Sequence, residues 1–329
     1  MKKFVMLDSH TFPDADFHQE IELLKKSGFE CVLAQCKSLE DVVRCAGDAE
    51  CIGVNYFRVT DEVLAALPRC KAVLRYGIGY DVVDVEACTR RNVLLCNLPD
   101  YCISDVATHT MALILDLVRK TTLFDRRVRS GFWDVGYGYG IHRMDSLTLG
   151  LIGFGNIARL VTSYAQCFGM KVIASDPYIT AELMSEYGVE KVTQDELLAR
   201  SDIISIHTSL IPSTYHLIDR EAISKMKDGM IFINTARGAI ADVDALYDAL
   251  QSGKIRAAGL DVVEGEPISN PSQRLWKCET LVITPHSAYN SVEASDAQHS
   301  QIAKLAVEVL SGMQPRLANI VNRKELGLA

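Results

Sequence analysis

Three side chains in this sequence have the types needed to move a proton beside a held carboxylate: Arg237, Glu266 and His286. Arg237 lies in Asn234-Thr235-Ala236-Arg237-Gly238, straight after an apolar run, Met230–Asn234, that reads as a buried strand. A guanidinium delivered to the carboxyl edge of a sheet can grip a carboxylate with two parallel hydrogen bonds. Taken alone, such an arginine more often serves a surface ion pair. Asp261-Val262-Val263-Glu264-Gly265-Glu266-Pro267 comes at the end of the next strand, Ala257–Val262, and Thr284-Pro285-His286 at the end of Leu281–Thr284. Loop acids are ordinarily solvated, and a single histidine is ordinarily structural. The three together, each at a strand's carboxyl end, form the carboxylate–imidazole–guanidinium set that reduction of a 2-keto acid requires.

Such a reduction needs a hydride carrier, and residues 148–158 offer its berth. The apolar run Leu147–Ile152 leads into Gly153-Phe154-Gly155-Asn156-Ile157-Ala158, which opens an apolar-periodic helix through about Cys167. A helix N-terminus presents unpaired N–H groups and partial positive charge, both suited to a pyrophosphate. Gly153 permits the turn, Gly155 lets the backbone approach the phosphates, and Ala158 supplies the small helix–strand contact. A second strand, Lys171–Ser175, ends in Asp176, 23 positions after Gly153, near the spacing of about 20 for a ribose-binding carboxylate. A carboxylate there accepts the ribose 2′- and 3′-hydroxyls and repels a 2′-phosphate. Pro177-Tyr178-Ile179 follow without a cation, so the expected cofactor is NAD, not NADP.

The elements that must hold these groups alternate along the whole chain. Strands are expected at Lys3–Leu7, Glu30–Ala34, Cys51–Asn55, Ala72–Arg75 and Val93–Cys96, with helices at Asp16–Ser27, Leu39–Ala46, Asp61–Leu67 and Val83–Arg91. Thr60 suits the N-cap of the third helix, and Pro68 ends it. One long helix is expected from Ile103 to Arg129, bridging two domains, then an extended arm over Ser130–Arg143. A second alternating unit runs from Leu147, with further strands at Ile203–His207, Met230–Asn234, Ala257–Val262 and Leu281–Thr284. Thr193-Gln194-Asp195-Glu196 is a capping box. A last helix, Ser291–Leu310, could return to the first domain. The expected fold is therefore α/β with two doubly wound parallel sheets. A substrate domain would comprise 1–102 and 294–329, and a nucleotide domain 103–293.

Length and composition fit two domains of a soluble protein. The net charge of −8, with no basic run, argues against nucleic acid as a partner. The N-terminal apolar stretch is too short for a signal peptide, and no 18-residue apolar run suggests a membrane span. Eight of the ten cysteines precede residue 103. They form no CxxC and have no histidine at zinc-ligand spacing, so no metal site is expected. They read as reduced core residues of a cytoplasmic protein.

The ordered motifs make the sequence similar to the D-isomer-specific 2-hydroxyacid dehydrogenase family over nearly its whole length. The resemblance rests on Gly153–Ala158, on Met226-Lys227-Asp228-Gly229 through Ile233-Asn234-Thr235-Ala236-Arg237-Gly238, on Gly259-Leu260-Asp261 to Glu266-Pro267, and on Thr284-Pro285-His286. Arg75-Tyr76-Gly77-Ile78-Gly79-Tyr80-Asp81, Asn97-Leu98-Pro99-Asp100-Tyr101-Cys102 and Ser175-Asp176-Pro177-Tyr178 also resemble the branch containing C-terminal-binding proteins.

The resemblance implies a flavodoxin-like substrate domain, an inserted Rossmann NAD domain and a homodimer. It implies that Arg237 holds and polarises the substrate, that His286 is the acid/base, and that Glu266, not Glu264, is its partner. Cofactor contacts carry over to Ile152, Gly153, Phe154, Gly155, Asn156, Ile157, Asp176, Thr208 through Thr214, Thr235, Ala236 and Asp261. Backbone amides of Gly77, Ile78 and Gly79 would meet the substrate carboxylate, with Arg75 nearby. Glu266 would stabilise the imidazolium, so reduction should be favoured at neutral to mildly acidic pH. The implied activity interconverts a 2-keto acid and a D-2-hydroxy acid. An NAD(H)-sensing, corepressor-like protein is the alternative, and oxidation of a phosphoglycerate- or phosphite-type substrate stays open. Tyr289 stands where corepressor members carry Trp, which removes the basis for expecting methionine-related keto acids. Ala241 replaces a larger aliphatic, and Thr108 an acid. Tyr56, Phe57, Tyr76, Tyr80 and Tyr101 could select an aromatic or large apolar substrate side chain, or simply pack locally.

Overall fold

The computed structural model describes residues 1–12, 16–138, 140–268 and 274–328. Two compact units account for the chain: Met1–Tyr101 with Ser291–Ala329, and Cys102–Asn290.

The first unit begins β1 (Lys3–Met6), α1 (His18–Lys26), β2 (Glu30–Leu33), α2 (Leu39–Ala46), β3 (Cys51–Val54), α3 (Asp61–Ala65), β4 (Ala72–Arg75), α4 (Val85–Arg90) and β5 (Leu94–Cys96). The five strands are parallel, in the order β2-β1-β3-β4-β5. This is the flavodoxin-type doubly wound order. The central strands β3 and β4 are buried throughout, as expected of a sheet covered on both faces. Short helices start where a side chain takes an orphan N–H: Ser38 and Asp41 form a capping box, Thr60 accepts from Val63, and Asp84 from Ala87.

The second unit runs α5 (Ile103–Arg119), α6 (Thr121–Arg129), β6 (Thr148–Ile152), α7 (Asn156–Cys167), β7 (Lys171–Ser175), α8 (Ala181–Glu186), β8 (Glu190–Lys191), α9 (Gln194–Arg200), β9 (Ile203–Ile206), α10 (Arg220–Lys225), β10 (Met230–Asn234), α11 (Val243–Ser252), β11 (Ile255–Leu260) and β12 (Leu281–Ile283). Its seven parallel strands lie in the order β12-β11-β10-β9-β6-β7-β8. Thr193 and Glu196 make the capping box that starts α9.

The expected single helix over Ile103–Arg129 is instead two. Lys120 takes a left-handed conformation (φ 58°), and Asp116 accepts the Thr122 N–H at 2.7 Å together with the Thr121 hydroxyl. One carboxylate thus caps the new helix and stabilises the break. Strand β8 was also not expected; it has two exposed residues and so carries no apolar signature. The arm after α6 contains a short 3-10 turn at Val135–Gly138, and Tyr139 lies outside the described residues.

The last helix, α12 (Val292–Ser311), belongs to the first unit. Its Ile302, Leu305, Ala306 and Val309 join Phe4, Leu74 and Tyr76 in one core cluster. Tyr76 is 1% exposed and donates its hydroxyl to Glu20 at 2.9 Å. Of the rings considered for substrate selection, Tyr76 is therefore a core residue, because its hydroxyl finds an acceptor inside the unit. Among the described residues no helix is long and apolar enough to cross a membrane, and no group of three His, Cys, Asp or Glu could hold a metal ion.

Candidate active site

In the second unit the chain runs from β6 to β7 and β8, then returns to β9 on the other flank of β6. That reversal opens a crevice beyond the carboxyl ends of the strands, where doubly wound sheets take ligands. Gly153 turns the chain there with φ +91°, and a Cβ on it would lie 2.6 Å from the His207 carbonyl oxygen. Only glycine lets the turn press against the end of β9. Gly155 precedes α7 with no side-chain cap, and nothing lies within 4 Å of where its Cβ would be. The N-cap position of this twelve-residue helix therefore carries no side chain and is open around its Cα.

Asp176 follows β7 and is partly exposed. Its carboxylate accepts the Phe154 N–H at 2.8 Å and the Tyr178 N–H at 2.8 Å. Each oxygen has a further lone pair for a ribose hydroxyl. An uncapped helix, a side-chain-free approach and a carboxylate at the second strand fit a dinucleotide. Phe154 offers only its backbone, since its ring is fully buried against Tyr187. Thr214 folds its own loop, accepting the Ile211 N–H at 2.8 Å and donating to the Ser209 carbonyl at 2.7 Å. Thr235 shares a 2.9 Å hydroxyl contact with Thr110 of α5. Asn156, Ile157, Thr208 and Ala236 are all at least partly exposed on the same edge, and Ile152 is 5% exposed.

The proton-handling groups arrive on three adjacent strands, β10, β11 and β12. His286 Nδ1 is 2.5 Å from Glu266 Oε1. Both side chains keep solvent access, 24% and 31% exposed. The other Glu266 oxygen accepts the Val263 N–H at 3.1 Å. Arg237 leaves the end of β10 and starts a 3-10 turn. A Cβ on Gly238 would sit 2.1 Å from the Val263 carbonyl carbon, so the Arg237 loop abuts the loop carrying Glu266.

Asp261 is 1% exposed. Its carboxylate accepts the Thr284 hydroxyl at 2.5 Å and the backbone N–H groups of Ser287 and Ala288 at 2.8 and 2.9 Å. Its position thus builds the turn presenting His286. His109 of α5 reaches the Thr284 hydroxyl at 3.0 Å. Burial pushes the His207 imidazole down to about 4, and its ring contacts the Ser205 hydroxyl at 2.9 Å.

Glu264 faces away from His286, toward a histidine that the sequence did not single out. Its carboxylate is 2.8 Å from His216 Nε2 and accepts the Tyr215 hydroxyl at 3.1 Å. His109 and His216 carry no motif; each gains its partner only through the fold.

In the first unit, the turn after β4 carries Arg75, Gly77, Ile78 and Gly79. Arg75 is 9% exposed and its guanidinium covers Gly77. The Gly77 N–H donates to the Arg75 carbonyl at 2.9 Å, which engages one of the three amides expected to meet a substrate. The Ile78 carbonyl accepts from Asn97 at 2.6 Å.

Two parallel-sheet units, one with a glycine turn opening onto an uncapped helix, define a dinucleotide-binding α/β protein. Residues 111–288 match the family model for the D-isomer specific 2-hydroxyacid dehydrogenase, NAD binding domain. The chain is 40% identical over 254 residues to the D-3-phosphoglycerate dehydrogenase of Mycobacterium leprae, covering 77% of this chain and 48% of that protein. It is 36% identical to the glyoxylate reductase of Korarchaeum cryptofilum, over 80% of this chain and 79% of that one. The structure of D-lactate dehydrogenase from Aquifex aeolicus, complexed with NAD and lactic acid, superposes with a TM-score of 0.86 at 31% identity, over 98% of this chain and 99% of that chain. The chain belongs to the D-isomer specific 2-hydroxyacid dehydrogenase family, and its second unit carries the NAD-binding domain. It spans about half the length of the phosphoglycerate dehydrogenases that it matches. These matches bear on the family and not on the branch of C-terminal-binding proteins.

Proposed function

We propose that this chain is an NAD-dependent oxidoreductase interconverting a 2-keto acid and a D-2-hydroxy acid. The observation that carries the reading is the 2.5 Å contact between His286 and Glu266, on the strand edge that also bears Arg237. NADH, when bound, supplies the hydride. Gly153–Ile157 would hold its pyrophosphate and Asp176 its ribose, with Thr208, Thr214, Thr235, Ala236 and Asp261 as further contacts. Arg237 holds the substrate carboxylate with paired N–H donors and draws electron density from the keto group. Protonated His286 donates from Nε2 to the keto oxygen, because Nδ1 is held by Glu266. Glu266 steadies the ring's orientation and offsets its charge. In oxidation neutral His286 takes the hydroxyl proton at the same nitrogen. Arg75 and the amides of Ile78 and Gly79 are further candidates for the substrate carboxylate, the Gly77 N–H being taken by the Arg75 carbonyl.

Phe132, Trp133, Val135 and Tyr137 are exposed on the arm, Trp133 at 90%. Exposed apolar side chains concentrated on one arm support a homodimer through it. All ten cysteines are free thiols, which supports a reducing, cytoplasmic setting.

The test is a kinetic screen with NADH against pyruvate, glyoxylate, branched, aromatic and phosphorylated keto acids. Saturable turnover on one class, lost in His286→Gln, is expected. No turnover on any, with a protein partner co-purifying in stoichiometric amount, would favour the nucleotide-sensing reading instead.

A further inference from the structure

Glu266 lies at the end of a tight turn. Its N–H donates to the Val263 carbonyl at 3.2 Å, and Gly265 between them has φ +80°. A positive φ at the third position is what a type II turn demands. Glu264 is the second residue of that turn, and its carboxylate is occupied at both oxygens by Tyr215 and His216. The Tyr215 and His216 rings stack at 4.0 Å with 15° between their planes. His216 is itself in the left-handed region, φ 48°. Its N–H donates to the Ala239 carbonyl at 2.9 Å, and the Ile218 N–H to the Ile240 carbonyl at 3.0 Å. The same few residues therefore bind three segments: 215–218, the 238–241 turn following Arg237, and the 263–266 turn ending in Glu266.

We propose that Glu264, held by His216 and Tyr215, is a positioning residue that fixes the Glu266 turn against the Arg237 loop and so sets the geometry of proton transfer. The inference rests on the reading of Glu266, His286 and Arg237 given above. Asp261 anchors one end of the 261–267 loop in the protein interior. Beyond it, Gly265 has no side chain to restrain rotation, and a Cβ there would meet nothing within 4 Å. Without the Glu264 contacts the turn would keep its backbone bond and the Val263 N–H contact to Glu266 but lose its side-chain tether to residues 215 and 216. Glu266 would then explore positions away from His286 Nδ1. A displacement on the order of 1 Å at a reacting group costs up to about a hundredfold in rate.

The experiment compares Glu264→Ala, Glu264→Gln and His216→Asn with the wild type, reading kcat and KM for the keto acid, NADH binding by nicotinamide fluorescence, and backbone hydrogen exchange. Glu264→Ala should lower kcat about tenfold or more with a smaller change in KM. Exchange should quicken in both 208–218 and 261–268. Glu264→Gln keeps an acceptor for Tyr215 and should restore most of kcat. Should Glu264→Ala fail to fold, His216→Asn tolerates the left-handed backbone and carries the same expectation. Wild-type kcat in Glu264→Ala, or exchange that quickens in 261–268 alone, would overturn the proposal. So would Glu264→Gln as impaired as Glu264→Ala. A wild type that turns over no keto acid would instead remove the proposed function, while the exchange pattern would still decide whether the segments are coupled.

Discussion

Asp261 builds the turn that presents His286. The Asp261 carbonyl accepts the His286 N–H at 2.8 Å, and its carboxylate gathers Thr284, Ser287 and Ala288 around the imidazole's base. A buried carboxylate with three donors cannot be replaced by an amide without turning an NH₂ toward one of them. Asp261→Asn should destabilise the protein by about 1–3 kcal/mol and lower kcat, measured by urea unfolding and steady-state kinetics. Unchanged stability would show that the carboxylate is dispensable to the turn.

His286→Gln removes the group assigned to proton transfer while keeping polar bulk. Turnover should fall by roughly 10²–10⁴-fold, with NADH binding by fluorescence within a few-fold of wild type. Activity within a few-fold would end the assignment.

Arg237→Lys exchanges a planar fork for a point charge. Both the KM for the keto acid and kcat should worsen, because the bidentate hold is lost in the ground and transition states. Kinetics indistinguishable from wild type would exclude the anchor role.

Asp176 should set the choice of cofactor. Asp176→Ala removes an acceptor for the ribose hydroxyls and a charge that repels a 2′-phosphate. The ratio of kcat/KM for NADH over NADPH should drop by about tenfold or more. A wild type that prefers NADPH would contradict this reading of the residue.

Burial holds His207 near 4, below its ordinary 6.5. Between those values the unfolded chain binds more protons than the folded one, so stability is full above about pH 6.5 and falls as pH drops toward 4. The whole shift corresponds to about 3 kcal/mol. The residue keeps some solvent contact, so a loss of about 1–2 kcal/mol is expected. Unfolding midpoints at pH 7 and pH 5 should differ less in His207→Gln; an equal difference would exclude His207 as the source.

The glycine turn, the acid after β7 and the three strand-end groups were legible because local chemistry dictates them. A pyrophosphate turn needs a missing Cβ, and a carboxylate anchor needs a guanidinium. Element types followed from apolar runs. The break at Lys120 did not, because its cause is one carboxylate folding back onto the next helix. Strand β8 did not either, since Glu190–Lys191 is short, exposed and without an apolar side chain.

The order of the motifs along the chain determined that this protein would wind two parallel sheets and carry a glycine turn, a guanidinium and an imidazole at strand ends of the second. Spacing alone left open which carboxylate meets which histidine; the family resemblance pointed Glu266 to His286, and only the tertiary structure paired Glu264 with His216. Glu264 and Glu266 are two residues apart and chemically identical. The glycine between them turns one toward His216 and the other toward His286, because pairing is set by the direction of a side chain in space, which spacing along the chain does not encode.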